Sequence, residues 1–277
     1  MGKKEIDPKA IEQMWHDNLT LGNSFHYMGP LSLGGYRKLM KLVPKNPRCK
    51  VCYAPFSGVG GKFVKLAFSK EPSPHNPTIC NICEQVAHAY PGGAEIEISM
   101  LFADVRGSTT LAEGMAPLEF SRLIDRYYRT ASDTLISYDA WIEKLIGDEV
   151  TGLFIPGFAG AQHAHKAVEA AQAILQVTGH GRSEGPWIPV GVGVNTGVAY
   201  VGAVGKDSTM MEITALGDAV NTAARLAAKA GPGEILVSDN TWNAAGLKIA
   251  DIQTQQLQLK GRTEPVEVHV LGILPAV

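Results

Sequence analysis

Two aspartates and one helix face carry the residue types that could do metal-assisted phosphoryl chemistry. Asp104 closes the apolar stretch Ile98-Ser-Met-Leu-Phe-Ala-Asp-Val105 and is followed by Arg106-Gly-Ser-Thr-Thr110. Asp148 sits in the turn of Glu143-Lys-Leu-Ile-Gly-Asp-Glu-Val150. A carboxylate at the end of a hydrophobic strand is useful only if a cleft opens there. Two of them on neighbouring strands could bridge Mg²⁺, a hard cation that takes oxygen ligands and usually shares them with phosphate. The plainer reading is that both are turn formers, since Asp is common in turns. Asn221 and Arg225 stand four apart in Ala215-Leu-Gly-Asp-Ala-Val-Asn-Thr-Ala-Ala-Arg-Leu226, hence on one helical face. An amide and a guanidinium placed so could orient a sugar and neutralise a phosphoryl group. Alone, that pair reads better as a solvated helix surface.

Sulfur supplies a second signal. Cys49-Lys-Val-Cys52 and Cys80-Asn-Ile-Cys83 are two C-x₂-C knuckles, the spacing of a tetrathiolate metal site. Zn²⁺ is the default occupant. Iron in a mononuclear site or an Fe–S cluster uses the same ligands, so both stay open at this point. An iron centre would make the module a redox- or oxygen-sensing input. His75 and His88 flank the knuckles as substitute ligands, a weaker reading. Other patterns fail on spacing: Gly58-Val-Gly-Gly-Lys62 is followed by Phe63 rather than Ser or Thr, and Gly191-Val-Gly-Val-Asn-Thr-Gly197 lacks the dinucleotide interval. His163 and His165 lie two apart on an expected helix, so they face differently and read as solvated.

The elements that must position these residues follow from periodicity. Residues 1–45 read as a helical segment, in which Asp7 caps, Pro8 starts, and Ile11, Met14, Trp15 and Leu19 share a face. A short helix over Tyr36–Val43 would place Tyr36, Leu39, Met40 and Val43 on one stripe. Residues 46–92, rich in Pro, Gly and Cys, form the metal module, and 95–277 the α/β part. There strands are expected at Ile96–Val105, Trp141–Leu145, Val150–Ile155, Trp187–Val194, Val198–Val204, Met210–Leu216, Ile235–Val237, Gln256–Lys260 and Val266–Leu271. Helices are expected at Pro117–Tyr138, Ala159–Thr178 and Asp218–Ala230. Gly185–Gly205 is uncharged over its whole length, but Val190, Val192 and Val194 alternate with glycine, so it reads as a strand entering a turn at Asn195-Thr-Gly197 and not as a membrane span. Strands alternating with helices and broken by hairpins predict an α/β (α+β) fold with an antiparallel component. Of the 277 residues, 45% are hydrophobic and 19% charged, enough for a sizeable core and against disorder. A net charge of −2 shows no footprint for nucleic acid or an anionic membrane. The N-terminus lacks the apolar run of a signal peptide, which predicts a cytoplasmic protein.

Taken together, these segments resemble the class III nucleotidyl cyclases. Phe102-Ala-Asp-Val-Arg-Gly-Ser-Thr109 is similar to that family's first metal-aspartate motif, and Lys144-Leu-Ile-Gly-Asp148 to its hairpin motif. Gly191–Gly202 is similar to its central hairpin, Thr214–Arg225 to its dimer arm and catalytic helix, and Leu259–Val268 to its C-terminal strands. The resemblance implies a ferredoxin-like catalytic domain that makes cyclic nucleotide from a nucleoside triphosphate. By that likeness Asp104 and Asp148 hold two Mg²⁺ (or Mn²⁺), Lys144 and Thr214 read the base, and Asn221 places the ribose. Arg225 then stabilises charge on the α-phosphoryl group, and Lys260 meets the β/γ-phosphates. The backbone of Val105, Gly107, Ser108 and Thr109 opens a helix and could donate N–H groups to phosphate. Lys144 donates where guanylate-forming members usually carry Glu, which favours ATP. Thr214 stands where many members have Asp, and its hydroxyl discriminates less sharply. The family's site is shared between two catalytic domains, and this chain carries both residue sets, so the resemblance implies a homodimer with composite sites. The rivals are a guanylate or dual-specificity cyclase, a regulatory nucleotide-binding module of the same fold, and a protein whose function lies in the metal module. A small-molecule or redox regulator, bicarbonate among the candidates, goes with the first reading.

Overall fold

The computed structural model describes residues 7–22, 33–43, 47–74, 79–205 and 212–272, with the backbone alone at 33, 34 and 144–146. It divides into two compact units. The first comprises the chain up to Ile96 with Pro156–Phe158 and Tyr200–Leu216; the second comprises Glu97–Ile155, Ala159–Ala199 and the chain from Gly217. Among the described residues, no helix is long and apolar enough to cross a membrane.

In the first unit, helix α1 (Pro8–Leu21) begins where the Asp7 carboxylate accepts from the Lys9 N–H at 3.0 Å. It stops at Gly22, whose φ is 66° and where a Cβ would lie 2.3 Å from the Gly157 carbonyl oxygen. Trp15 and Leu19 are buried, and the Trp15 indole donates to the Tyr90 carbonyl at 3.0 Å. Helix α2 (Leu33–Lys41) buries Tyr36 and Met40, but Leu39 is 43% exposed and Val43 lies beyond the helix, so the expected four-residue stripe shrinks to an i, i+4 pair. The Pro/Gly/Cys-rich segment contains two helices that periodicity did not reveal, α3 (Gly58–Phe68) and α4 (Asn81–Ala89). Gly61 is there for close packing: a Cβ on it would sit 2.6 Å from the Phe56 carbonyl carbon.

The strands are β1 (Gly93–Val105), β2 (Trp141–Ile146), β3 (Glu149–Phe154), β4 (Val190–Val204), β5 (Glu212–Leu216), β6 (Ile235–Ser238), β7 (Gln253–Leu257) and β8 (Val266–Leu271). Their order is β2-β3-β1-β4-β6-β8-β7, with β5 paired to β4. The β4–β6 pair is parallel, while β1–β3, β2–β3, β4–β5, β6–β8 and β7–β8 are antiparallel. The intervening helices are α5 (Ser108–Glu113), α6 (Pro117–Ser137), α7 (Pro156–Ala159), α8 (His163–Val177), α9 (Asp218–Lys229) and α10 (Asp239–Ala244). This is the expected mixed α/β fold.

β4 organises the second unit because its two faces differ. Val190, Val192 and Val194 are fully buried in a core with Leu101, Tyr127, Leu135 and Ile174, residues of β1, α6 and α8. Gly191 and Gly193 face the other way, and there α9 comes so close that a Cβ on Gly193 would lie 2.2 Å from the Ala227 nitrogen. The predicted turn at Asn195-Thr-Gly197 does not form, and β4 runs through as one strand of 15 residues. Its polar side chains are satisfied sideways: Asn195 Nδ2 donates to the Ala219 carbonyl at 2.8 Å, and the Thr196 and Ser99 hydroxyls meet at 2.6 Å. His163, expected in solvent, is buried with Nδ1 2.9 Å from the Ser99 hydroxyl. β7 starts three residues before the expected strand. The Gln-rich tract is itself the edge strand, where polar side chains are at home.

Candidate active site and thiolate cluster

The hairpin β2–β3 and strand β1 bring the two aspartates together. In the β1–β3 ladder Asp104 pairs with Glu149, and the Val105 N–H donates to the Asp148 carbonyl at 3.2 Å, docking the hairpin turn on the end of β1. Helix α6 braces both pieces: the Tyr127 hydroxyl donates to the Ala103 carbonyl at 2.8 Å and that of Tyr128 to the Gly147 carbonyl at 2.6 Å. Gly147 turns with φ of 64° and open space about its Cα. Burial raises the Asp104 carboxyl above its usual range; the ion-paired Arg106 guanidinium opposes that rise and the Asp148 carboxylate adds to it. Glu149 is pushed up to about 7 by burial and then by Asp104 and Asp148. Asp104 and Asp148 are neighbouring oxygen donors of the kind a hard divalent cation takes. Spacing alone missed Arg106 and Glu149. The hairpin register was the signal that could have placed Glu149 opposite Asp104.

The first turn of α5 differs in part from expectation. Gly107 adopts a left-handed φ of 68° and caps it. The N–H groups of Val105 and Arg106 are taken by the carbonyls of Asp148 and Pro189, so Val105 does not offer its N–H to a phosphate. Gly107, Ser108 and Thr109 remain as the candidate cradle.

On α9, Asn221 is exposed and Arg225 half-buried. The Arg225 guanidinium lies by Gly261, where a Cβ would be 3.5 Å from Nη2, so the exposed Lys260 and Arg225 belong to one neighbourhood. Arg262, not singled out from sequence, ties the β7–β8 turn to α9: its Nη1 donates to Asp218 Oδ2 at 2.5 Å and to Thr222 Oγ1 at 2.7 Å. Lys144 lies on β2, and its side chain is outside the described residues. Thr214 belongs to the first unit, on β5, paired with Gly202 and buried.

The four cysteines converge in the first unit. All four are buried, their sulfurs lie within 4.8 Å of one another, and His88 does not join them but faces Glu84 at 4.0 Å; His75 lies outside the described residues. Cys52 and Cys80 sulfurs are 3.8 Å apart, nearly twice a disulfide bond. Backbone N–H groups point at sulfur: Cys52 and Cys80 donate to Cys49 at 3.5 and 3.2 Å, and Cys83 to Cys80 at 3.5 Å. The buried Lys70 ammonium donates to Cys52 at 3.5 Å. Burial opposes ionisation of Cys52, but hydrogen bonds from its three neighbours and the charge of Lys70 hold it below the usual thiol range. Two arginines fasten the first knuckle. Arg37 donates to the Lys50 and Val51 carbonyls and stacks on Tyr53, while Arg48 reaches the Met40, Val43 and Tyr53 carbonyls.

Residues 93–272 match the sequence model described as the adenylate and guanylate cyclase catalytic domain, more than half of the chain. The chain belongs to that family. The cyclase domain is 28% identical over 185 residues to an adenylate cyclase of Anabaena cylindrica, an alignment that covers 62% of this chain and 36% of that protein. The chain thus spans little more than a third of that curated relative. Among solved structures it is similar to the guanylyl cyclase Cya2 (28% identity, TM-score 0.58, covering 65% of this chain and 93% of the other) and the adenylyl cyclase CyaB from P. aeruginosa (28%, 0.55, 65% and 95%). The fold is that of the class III cyclases. The relatives include enzymes named for either purine nucleotide.

Proposed function

We propose that this protein is an adenylate cyclase, converting ATP to 3′,5′-cyclic AMP and pyrophosphate at sites shared by two copies of the chain. The observation that carries the reading is the convergence of Asp104 and Asp148 at the end of β1 and the β2–β3 turn, within a domain of the cyclase family. Those carboxylates would hold two Mg²⁺ (or Mn²⁺), and a divalent ion there supplies Lewis acidity that makes the ribose 3′-hydroxyl a better nucleophile. The 3′-hydroxyl gives up its proton to water, and its oxygen forms a bond to the α-phosphorus in line as the bond to the bridging oxygen of pyrophosphate breaks. Arg225 neutralises the α-phosphoryl oxygens, Asn221 holds the ribose so that the attacking oxygen is aligned, and Lys260 takes the β/γ-phosphates. Gly107–Thr109 offer N–H groups to the same phosphates. Lys144 donates to adenine N1, and Thr214 contacts the 6-amino edge. One chain contains the aspartates and the α9 pair, which supports a head-to-tail homodimer with two equivalent sites.

The cysteine module, residues 46–92, would hold one metal ion and regulate the catalytic domain. A tetrahedral ion about 2.3 Å from each sulfur sets the sulfurs about 3.8 Å apart, the separation of Cys52 and Cys80. Sulfurs all within 4.8 Å of one another fit a single ion, zinc first and mononuclear iron second, and disfavour a multi-iron cluster.

Turnover of ATP and of GTP with Mg²⁺ tests the catalytic reading. ATP should be the better substrate, and Lys144→Glu should depress ATP use by placing an acceptor against adenine N1. Preference for GTP in the wild type, or unchanged ATP kinetics in the variant, would move the assignment to the guanylate alternative.

A further inference from the structure

The whole-chain charge of −2 conceals a strong local asymmetry. From Asn18 to Lys70 there are nine Lys and Arg and not one Asp or Glu. Arg37 and Lys70 are buried, whereas Lys38, Lys62 and Lys65 stand in solvent. The same stretch exposes large apolar side chains: Leu66 is 89% exposed, Val59 85%, Leu42 80% and Phe63 56%. Along α3, Val59, Phe63 and Leu66 follow i, i+4, i+7 and turn away from the buried Gly60, Gly61 and Val64. Phe68 links them to α2, with its ring 6.3 Å from Phe63 and 5.7 Å from Tyr36. The result on α3 is an outward face of aliphatic and aromatic side chains flanked by Lys62 and by Lys65, the latter ion-paired with Glu71 at 2.6 Å.

We propose that this face docks on an anionic lipid surface. Leu42, Val59, Phe63 and Leu66 enter the boundary between headgroups and acyl chains, and Lys38 and Lys62 meet the lipid phosphates and carboxylates. Helices of 9 and 11 residues lie along a bilayer and do not span it. Charge argues against other occupants. A symmetric contact with a second copy would gather Lys38 and Lys62 of both chains about one axis, and nucleic acid would engage the lysines yet leave Leu42, Val59 and Leu66 in water. The inference does not depend on which nucleotide is cyclised.

The test is co-sedimentation of the full chain with phosphatidylcholine vesicles, with and without roughly a third phosphatidylserine. Wild-type protein should pellet with the anionic vesicles only, and high salt should release it. The double variant Leu42→Ser/Leu66→Ser alters two side chains that pack on little, so its thermal unfolding and cyclase turnover in solution should match wild type. Its affinity for anionic vesicles should fall tenfold or more, since burying a leucine is worth roughly that factor each. Lys38→Glu/Lys62→Glu should weaken binding comparably. Wild-type protein that ignores anionic vesicles would overturn the proposal. So would a serine variant that binds as tightly, or one whose only change is loss of self-association or of binding to duplex DNA.

Discussion

Replacing Gly193 by alanine should separate α9 from the sheet. The added Cβ would stand 2.2 Å from the Ala227 nitrogen and 2.5 Å from the Ala223 carbonyl oxygen, both backbone atoms of α9. Ordinary contact begins near 3.4 Å, so the helix must retreat by about 1 Å or β4 must bend. Neither partner is a flexible side chain that can swing aside. Overpacking of this kind costs ~1–3 kcal/mol, and backbone partners place it at the upper end. At ~2–4 °C per kcal/mol for a domain of this size, Tm should fall by about 6–12 °C. Asn221 and Arg225 ride on the displaced helix, and a shift of about 1 Å in a positioning group costs on the order of a hundredfold in turnover. Gly272→Ala, with no atom within 4 Å of its would-be Cβ, is the control and should stay within ~0.5 kcal/mol of wild type. Calorimetry and steady-state turnover read both effects. A Gly193→Ala protein with wild-type Tm and turnover would refute the close approach of α9 to β4.

Two further outcomes follow from buried groups. Metal analysis should find one ion per chain in a colourless protein, and a chelator should lower the unfolding temperature of the first unit while Cys52→Ser removes the ion; a brown protein with visible absorbance would indicate iron instead. Burial holds the imidazoles of His163 and His180 below the ordinary histidine range, and His180 Nε2 accepts from the Val190 N–H at 3.0 Å, which requires the neutral ring. A depressed histidine contributes stability that is complete above its unfolded pKa of about 6.5 and is lost as pH falls through its folded pKa. Between about pH 7.5 and 5, the denaturant midpoint of wild type should therefore fall more steeply than that of His180→Gln, which keeps an acceptor but does not titrate; parallel profiles would count against the neutral-ring assignment.

Much of this was legible in the sequence where chemistry and periodicity agreed. The Val/Gly alternation of residues 190–194 announced a strand, and the C-x₂-C pairs announced a thiolate cluster. What escaped depended on long-range partners. Asn195 and Thr196 look like turn residues until Ala219 and Ser99 are seen to satisfy them. His163 looks solvated until Ser99 comes 64 residues from behind to meet it. α3 was hidden by its glycines, of which Gly61 serves close contact with Phe56. At the candidate site, Asp104 and Asp148 were readable as strand-end and turn carboxylates. The engagement of the Val105 N–H and the Arg262 tie could be seen only once the hairpin and the β7–β8 turn were docked.

The shared-site mechanism is tested most directly by mixing Asp104→Ala and Arg225→Ala proteins. On the proposed shared site each homodimer should be inactive, since the aspartates would come from one subunit and the arginine from the other. In a mixed dimer both lesions fall in one site and the second site is intact. With free subunit exchange in an equal mixture, half the dimers are mixed and each has one working site, so ATP cyclisation should return to about a quarter of the wild-type rate. No recovery after exchange has been verified would contradict a site built from two chains.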